Sequence, residues 1–203
     1  MESQSELFES SKIELLPFDG SAILNPNVFS DIESGSLFER LVSDLVWQEH
    51  TLNIFGRLIK QPRLTAWYGD PGRSYEYSGL LLHPLRWTQD LITIKETCEN
   101  LTGHQFNSVL ANLYRNGKDS VAWHADDEHE LGSEPIIASV NLGNRRRFDL
   151  RHRESGKIVR CEMPVGSVLV MSGLSQSCWL HQVPKTAKNV GPRINLTYRW
   201  IHQ

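Results

Sequence analysis

The C-terminal segment carries two arginines, Arg193 and Arg199, in an alternating polar and apolar sequence. Because successive side chains of a strand point to opposite faces, this alternation predicts a strand with both arginines on one face. Upstream, His124 and Asp126 lie two residues apart, and His181 precedes the arginines. Two imidazoles and one carboxylate can hold iron(II) and leave positions open for oxygen and a chelating co-substrate. Arginines beside such a site offer planar forks to a carboxylate.

Several alternatives stay open on these residues alone. A strand with one polar face can expose that face to water, and a His-x-Asp pair often occurs by chance. Zinc is a rival metal, although the chain lacks the His-Glu-x-x-His motif that supplies a positioned base. A metal-free sugar-binding sandwich or a cupin-like structural domain is an alternative of another class. We expect the remaining histidines to be surface or packing residues: His50, His83, His104, His129, His152 and His202.

Length and composition fit one soluble domain. The chain has 203 residues, 39% of them hydrophobic and 22% charged, which suffices for a substantial core. An 18-residue apolar segment and a signal peptide are both absent, so we expect no membrane partner and a location in the cytoplasm. We also expect a monomer. The three cysteines are scattered and include no CxxC motif, and we expect buried, reduced thiols.

The charge is unevenly distributed, although the net charge is only −3. Residues 143–160 contain seven Lys or Arg and two acids, whereas residues 126–134 contain five acids and no Lys or Arg. The basic segment is compatible with a solvated hairpin or with a ridge that contacts phosphates, and charge alone does not separate the two.

The elements that must position these residues are mainly strands. We expect residues 1–35 to form an irregular N-terminal arm, followed by a helix that begins near Ser36, which forms a capping-box pattern with Glu39. A second helix follows Thr88 and ends at Gly103. Further strands are expected at 63–69 and 75–78. From residue 106 the sequence predicts eight short strands, at 106–114, 121–125, 136–142, 146–151, 158–163, 167–172, 178–183 and 193–201.

This pattern predicts a mainly β fold with flanking helices, of the sandwich or jelly-roll type. Several motifs then resemble, in order and spacing, the AlkB family of iron(II)- and 2-oxoglutarate-dependent dioxygenases. They are Asn112-Leu-Tyr114-Arg-Asn, His124-Ala-Asp126-Asp127-Glu128, Pro135-Ile-Ile-Ala-Ser139, Gly166-Ser-Val-Leu-Val-Met171, Trp179-Leu-His181 and Pro192-Arg-Ile-Asn-Leu-Thr-Tyr-Arg199. The resemblance covers about residues 55–201 and implies a double-stranded β-helix.

The resemblance implies one dioxygenase domain over residues 36–203. Residues 50–105 would form a nucleotide-recognition region, and residues 106–203 the jelly-roll core. It also implies that His124, Asp126 and His181 are the catalytic ligands of Fe(II). The residues implied for 2-oxoglutarate are Asn112, Tyr114, Arg193, Thr197 and Arg199, with Arg193 on the distal carboxylate and Arg199 near the iron or beside Asp126.

The implied reaction is the oxidative removal of methyl groups from 1-methyladenine and 3-methylcytosine in DNA, and by extension RNA. It consumes O2 and 2-oxoglutarate and releases succinate, CO2 and formaldehyde. If DNA is the substrate, we expect the protein in the nucleoid or nucleus. Substrate contacts are expected from Phe55, Arg63, Trp67, Tyr75, Tyr77, Asp127 and Glu128, with further candidates in Tyr68 and residues 145–147. A dioxygenase with another methylated substrate (RNA, protein or lipid) and a catalytically silent jelly-roll binding module are the alternatives.

Two of these contacts have specific expected roles. Tyr77 would sandwich a flipped base against His124. Phe55 would fill the gap that the flipped base leaves in a duplex, or would instead pack in the core of its hairpin. Some motifs resemble family members that prefer duplexes, and others resemble members that prefer single strands and RNA. The sequence therefore leaves open whether the substrate is single- or double-stranded.

Overall fold

The computed structural model describes residues 12–54, 57–72, 75–77 and 80–202; for residues 52–54, 57, 75–77 and 80–82 only the backbone is described. The strands are β1 (Ile13–Glu14), β2 (Ser21–Asn25), β3 (Thr51–Ile54), β4 (Arg57–Lys60), β5 (Leu64–Gly69), β6 (Tyr75–Tyr77), β7 (Leu80–Leu82), β8 (Ser108–Tyr114), β9 (Val121–His124), β10 (Ile137–Gly143), β11 (Arg146–His152), β12 (Ile158–Met163), β13 (Ser167–Ser172), β14 (Trp179–Val183) and β15 (Arg193–Arg199). The helices are α1 (Asp31–Asp44), α2 (Gln89–Thr102) and α3 (Ser175–Cys178), with a 3-10 turn at His129–Leu131.

Two antiparallel sheets form the centre of the fold. The larger sheet has the order β1-β2-β13-β10-β15-β8-β5, and the smaller sheet has the order β12-β11-β14-β9. Two hairpins, β3–β4 and β6–β7, form separate two-stranded sheets. The predicted jelly roll is confirmed, and all eight strands expected after residue 106 are present within one or two residues of their predicted ends.

The core lies on both faces of the larger sheet. One cluster packs helices α1 and α2 against it through residues such as Leu41, Leu91 and Leu196, which are 1% exposed or less. The other cluster joins the two sheets, with Leu169 from β13 facing Trp179 from β14. The burial of these apolar side chains drives the layers together and leaves the space between the sheets for polar residues.

The N-terminal segment corrects one prediction. Within the expected irregular arm, residues 21–25 form β2 and pair with β13, and α1 already begins at Asp31. The capping box uses Ser30 and Glu33 rather than Ser36 and Glu39. Both pairs match the same sequence pattern, but the earlier cap lets Ser34 bury its side chain in the first turn of the helix.

The second helix confirms its predicted ends. Thr88 accepts a hydrogen bond from the Leu91 amide as N-cap, and Gly103 adopts the left-handed conformation as C-cap. No helix among the described residues is long and apolar enough to cross a membrane.

Candidate metal centre

Strand β15 directs its polar residues into the space between the sheets. Ile194, Leu196 and Tyr198 pack in the core beneath the helices, so the intervening residues face the smaller sheet. Arg193 and Arg199 are only 1% and 3% exposed, which rules out the alternative of a solvated polar face.

The three predicted metal ligands meet at the edge of the smaller sheet. His124 ends β9 and lies directly opposite His181 of β14, with ring centroids 4.2 Å apart. Asp126 follows two residues after His124, and its Oδ1 lies 3.9 Å from His124 Nε2. One donor atom from each of the three residues lies within 4.8 Å of the other two. The structure therefore brings together residues that are up to 57 positions apart in the chain.

Asp126 is fixed from two directions. Arg199 Nη2 donates to its Oδ2 at 2.7 Å, and the Asp126 backbone amide donates to Gln176 Oε1 at 3.0 Å. Its Oδ1 is buried and has no hydrogen-bond partner among the described residues. A buried carboxylate oxygen without a partner is costly, and a cation held jointly with two imidazoles satisfies it. The donor set therefore fits a divalent metal.

Burial and nearby charges set the protonation states of Asp126 and His181. Burial raises the pKa of Asp126, but the positive charge of Arg199 and the neighbouring histidines outweighs it and lowers that pKa to about 2. Burial, together with the proximity of His124, lowers the pKa of His181 to about 3. At neutral pH, Asp126 is therefore a carboxylate and His181 a neutral imidazole, the protonation states that metal ligation requires.

Arg193 lies at the other end of β15, in a buried polar setting. Its Nε donates to Asn141 Oδ1, and its guanidinium carbon lies 5.1 Å from the centre of the Tyr114 ring. Its Nη1 is buried without a hydrogen-bond partner among the described residues. Burial lowers its pKa to about 10, which still leaves it charged at neutral pH. A buried guanidinium with an unused N–H is suited to an anionic group.

Polar side chains line the space between these two ends. Asn195 donates to Ser139 Oγ at 2.8 Å, and Thr197 donates to Asn195 Oδ1 at 3.3 Å. Asn112 accepts a hydrogen bond from Arg63 Nε at 2.8 Å. The full lining comprises Arg63, Leu110, Asn112, Tyr114, Val121, His124, Asp126, Ser139, Phe148, Met171, His181, Val183, Asn195, Thr197 and Arg199. A larger groove of about 490 Å³ beside Trp200 contains none of the three ligands, so the narrower cleft is the candidate site.

The sequence missed several residues of this cleft. Gln176, in the short helix α3, holds the backbone of Asp126, and Asn141 holds Arg193. Neither has a motif of its own. Asn195 could have been found, since it lies on the arginine face of β15, whose alternation was already recognised. The position of Ser139 opposite Thr197 depends on the pairing of β10 with β15.

The predicted substrate contacts differ in where the structure places them. Arg63 lines the cleft, whereas Trp67 is 5% exposed and packs in a core cluster with Leu110. Asp127 is exposed and forms an ion pair with Arg153 at 2.7 Å. Glu128 is half-buried.

Most of the aromatic candidates have no described side chain. Phe55 lies outside the described residues, and Tyr75 and Tyr77 lie in β6, where only the backbone is described. Tyr68 is 3% exposed and its hydroxyl accepts a hydrogen bond from the Val46 amide, so it is a core residue and the prediction of a substrate contact is wrong for it.

The basic segment is divided between structural and exposed arginines. Arg146 is buried and donates to the carbonyls of Asn116, Asp119 and Pro184, at 2.8–3.0 Å. Its inclusion among the phosphate contacts is therefore wrong. Arg147 is exposed and pairs with Asp149 at 3.0 Å. The cysteines are also less uniform than expected, because only Cys98 is buried and the other two are half-buried.

Comparison with known proteins agrees with this geometry. A family model described as the 2OG-Fe(II) oxygenase superfamily matches residues 21–199. Alpha-ketoglutarate-dependent dioxygenase alkB homolog 3 is 43% identical over 180 residues in Bos taurus, covering 84% of this chain and 62% of that protein. The Homo sapiens counterpart is 41% identical over 202 residues, covering 94% of this chain and 70% of that protein.

Two further proteins are more distant. DNA oxidative demethylase ALKBH2 of Homo sapiens is 37% identical over 185 residues, covering 86% of this chain and 71% of that protein. The solved structure of OsALKBH1 has a TM-score of 0.64 at 14% identity, covering 88% of this chain and 97% of that one, and it shows a shared fold. This chain spans less than two thirds of the bovine relative's length.

Proposed function

The chain belongs to the AlkB family of 2OG-Fe(II) oxygenases, and from this premise we propose that it removes methyl groups from N-alkylated bases of nucleic acid. The bases would be 1-methyladenine and 3-methylcytosine in DNA, with RNA as a further substrate. One observation carries the proposal. Within the described part of the chain, the buried Oδ1 of Asp126 lacks a hydrogen-bond partner beside two imidazoles, and the buried Arg193 keeps an unused N–H for a second anionic group.

His124, Asp126 and His181 would hold Fe(II), and the cleft would hold 2-oxoglutarate. When bound, Fe(II), O2 and 2-oxoglutarate supply an oxidation that hydroxylates the N-methyl group, with succinate and CO2 as co-products. The hydroxymethyl group then leaves the base as formaldehyde.

The residues of the chain orient these groups. Arg199 holds one oxygen of Asp126 at 2.7 Å, so the other oxygen is the one presented to the metal. Arg193 would pair with the distal carboxylate of 2-oxoglutarate, for which its planar guanidinium offers two N–H groups. Thr197 of the same strand, and Asn112 and Tyr114 of the neighbouring strand β8, would supply further hydrogen bonds.

A methylated base in a duplex cannot reach this cleft unless it leaves the stack. We assign the stacking of the flipped base to Tyr77 and a nearby nucleotide contact to Tyr75. Phe55 would act as the duplex wedge. In this proposal the hairpins and α2, within residues 50–105, form the nucleotide-recognition region, and residues 106–203 form the catalytic core.

Selectivity for a cationic methylated base needs a negative charge near the metal. Glu128 suits this role better than Asp127. It is half-buried and two residues after the ligand Asp126, whereas Asp127 is exposed. A partly desolvated carboxylate acts more strongly on a nearby cation than an exposed one.

Formaldehyde release tests the proposal. The substrates are matched oligonucleotides, single- and double-stranded, of DNA and RNA, each containing 1-methyladenine or 3-methylcytosine. We expect formaldehyde from at least one of them in the presence of Fe(II) and 2-oxoglutarate, and none from the His124→Ala variant. The absence of formaldehyde from every substrate, with succinate still formed, would instead favour a different methylated target.

A further inference from the structure

A second group of metal-binding side chains lies outside the cleft. Asp19 belongs to the loop before β2, His152 ends β11, and Cys178 ends α3. One donor atom from each lies within 4.8 Å of the other two. His152 is 5% exposed and is therefore a packing residue, one of the two roles expected for it. A thiol, an imidazole and a carboxylate together are typical ligands of zinc.

The spacing of two donors already suits one ion. His152 Nε2 and Asp19 Oδ2 are 3.2 Å apart. Two ligands at tetrahedral positions on zinc, each roughly 2.0–2.2 Å from the metal, are roughly 3.3–3.5 Å apart. The Cys178 sulfur lies within 4.8 Å of both donor atoms, so a side-chain adjustment would complete three ligands.

The surrounding residues hold these donors in place. The Trp179 indole N–H donates to the carbonyl oxygens of Phe18 and Asp19, at 3.2 and 3.0 Å, which fixes the loop. The rings of Phe18 and Trp179 both contact the His152 ring, each with centroids 5.0 Å apart. The imidazole and the carboxylate are thus oriented toward each other by contacts that do not involve a metal. Such preorganisation lowers the entropy cost of binding.

The second nitrogen of His152 has a suitable partner. Ser155 Oγ lies 2.9 Å from Nδ1, and the Ser155 backbone amide lies 3.0 Å from the same atom. With a metal on Nε2, the imidazole proton resides on Nδ1 and is donated to Ser155 Oγ, the outer-shell arrangement typical of metal-bound histidine. Metal binding would thus replace the hydrogen bond from the Ser155 backbone amide to Nδ1 with a hydrogen bond from Nδ1 to Ser155 Oγ.

We propose that Asp19, His152 and Cys178 form a second site, for a zinc-type divalent cation. Thiolate and imidazole ligands favour zinc over magnesium or calcium. The Asp19 side chain is 50% exposed, so a water molecule can occupy the fourth position. The ion would tie the N-terminal loop to the segment that leads into β14. This role is structural and independent of the proposed demethylation.

Cobalt(II) binding to the metal-free full-length chain tests the site, because a cobalt–thiolate bond gives a near-ultraviolet charge-transfer band. The proposed iron centre contains no cysteine and cannot produce this band. We expect the band in the unmodified chain and in the matched control Cys161→Ser. We also expect it in His124→Ala, which removes a ligand of the iron centre, and we expect its loss in Cys178→Ser.

A second variant covers the case in which Cys178→Ser fails to fold. Asp19→Ala removes an exposed side chain, and we expect it to weaken cobalt binding about tenfold or more, as loss of a ligand does. Absence of the band from the unmodified chain, its persistence in folded Cys178→Ser, or unchanged cobalt affinity in Asp19→Ala would each overturn the proposal. None of these results bears on formaldehyde release.

Discussion

Replacement of Arg193 by alanine should selectively weaken the use of 2-oxoglutarate. Arg193 is 1% exposed, and its Nη1 has no hydrogen-bond partner among the residues that the structure describes, so a bound carboxylate would be buried with it. A hydrogen bond to a charged group contributes about 1.5–3 kcal/mol, and loss of the buried partner adds to this. Since 1.4 kcal/mol corresponds to a factor of ten, a loss of about 3 kcal/mol raises the required 2-oxoglutarate concentration roughly 100-fold.

The assay is succinate formation, titrated separately with 2-oxoglutarate and with a methylated oligonucleotide. The requirement for the oligonucleotide should stay nearly unchanged, because Arg193 is buried at the end of β15 opposite to Arg199. Arg193→Lys keeps the charge but loses the planar fork, and should fall between the alanine variant and the unmodified chain. Arg40→Ala is the control, since its side chain is 47% exposed and lies on α1, away from the cleft. Equal increases in both requirements for Arg193→Ala would refute the reasoning.

Three further predictions concern the fold and the substrate. Gly166→Ala should lower the free energy of unfolding more than Gly156→Ala, measured by denaturant titration. Both have φ near +70°, but only at Gly166 would the new Cβ clash, 2.1 Å from the Phe29 carbonyl oxygen; equal losses would contradict this. Burial raises the pKa of Asp119, but hydrogen bonds from Arg115 outweigh this effect and lower the pKa below 3.8. The Asp119 carboxylate therefore stabilises the folded chain above about pH 3.8, and this stabilisation is lost as the pH falls further. The difference in thermal unfolding midpoint between the unmodified chain and Asp119→Asn should accordingly shrink in acid, and a difference that is constant with pH would argue against the pairing. Phe55→Ala should reduce formaldehyde release from duplex more than from single-stranded substrate, and the wedge proposal fails if both fall together.

The jelly roll and most of the metal centre were predictable because they follow from strand periodicity. The alternation of β15 placed both arginines on one face, and the two-residue spacing of His124 and Asp126 allowed them to share an ion. His181 was harder, because its approach to His124 depends on the pairing of β14 with β9. Its apolar neighbours in the sequence were the only local indication.

Features that depend on tertiary packing were not predictable. The capping pattern occurs at both Ser30 and Ser36, and only the packing of α1 selects the earlier cap. The grouping of Asp19, His152 and Cys178 depends on the docking of the N-terminal loop, a segment that lacks a clear periodicity. Contacts of this kind join residues far apart in the chain and leave no local pattern.

The central claim is that three side chains hold one ferrous ion beside 2-oxoglutarate. Succinate formation by the Asp126→Ala variant is the most direct test of this claim. The unmodified chain with Fe(II), 2-oxoglutarate and a methylated oligonucleotide should form succinate and formaldehyde together. Asp126→Ala should form neither, while its circular dichroism spectrum stays that of the folded chain. Unchanged succinate formation by a folded Asp126→Ala would contradict the assignment of the metal centre.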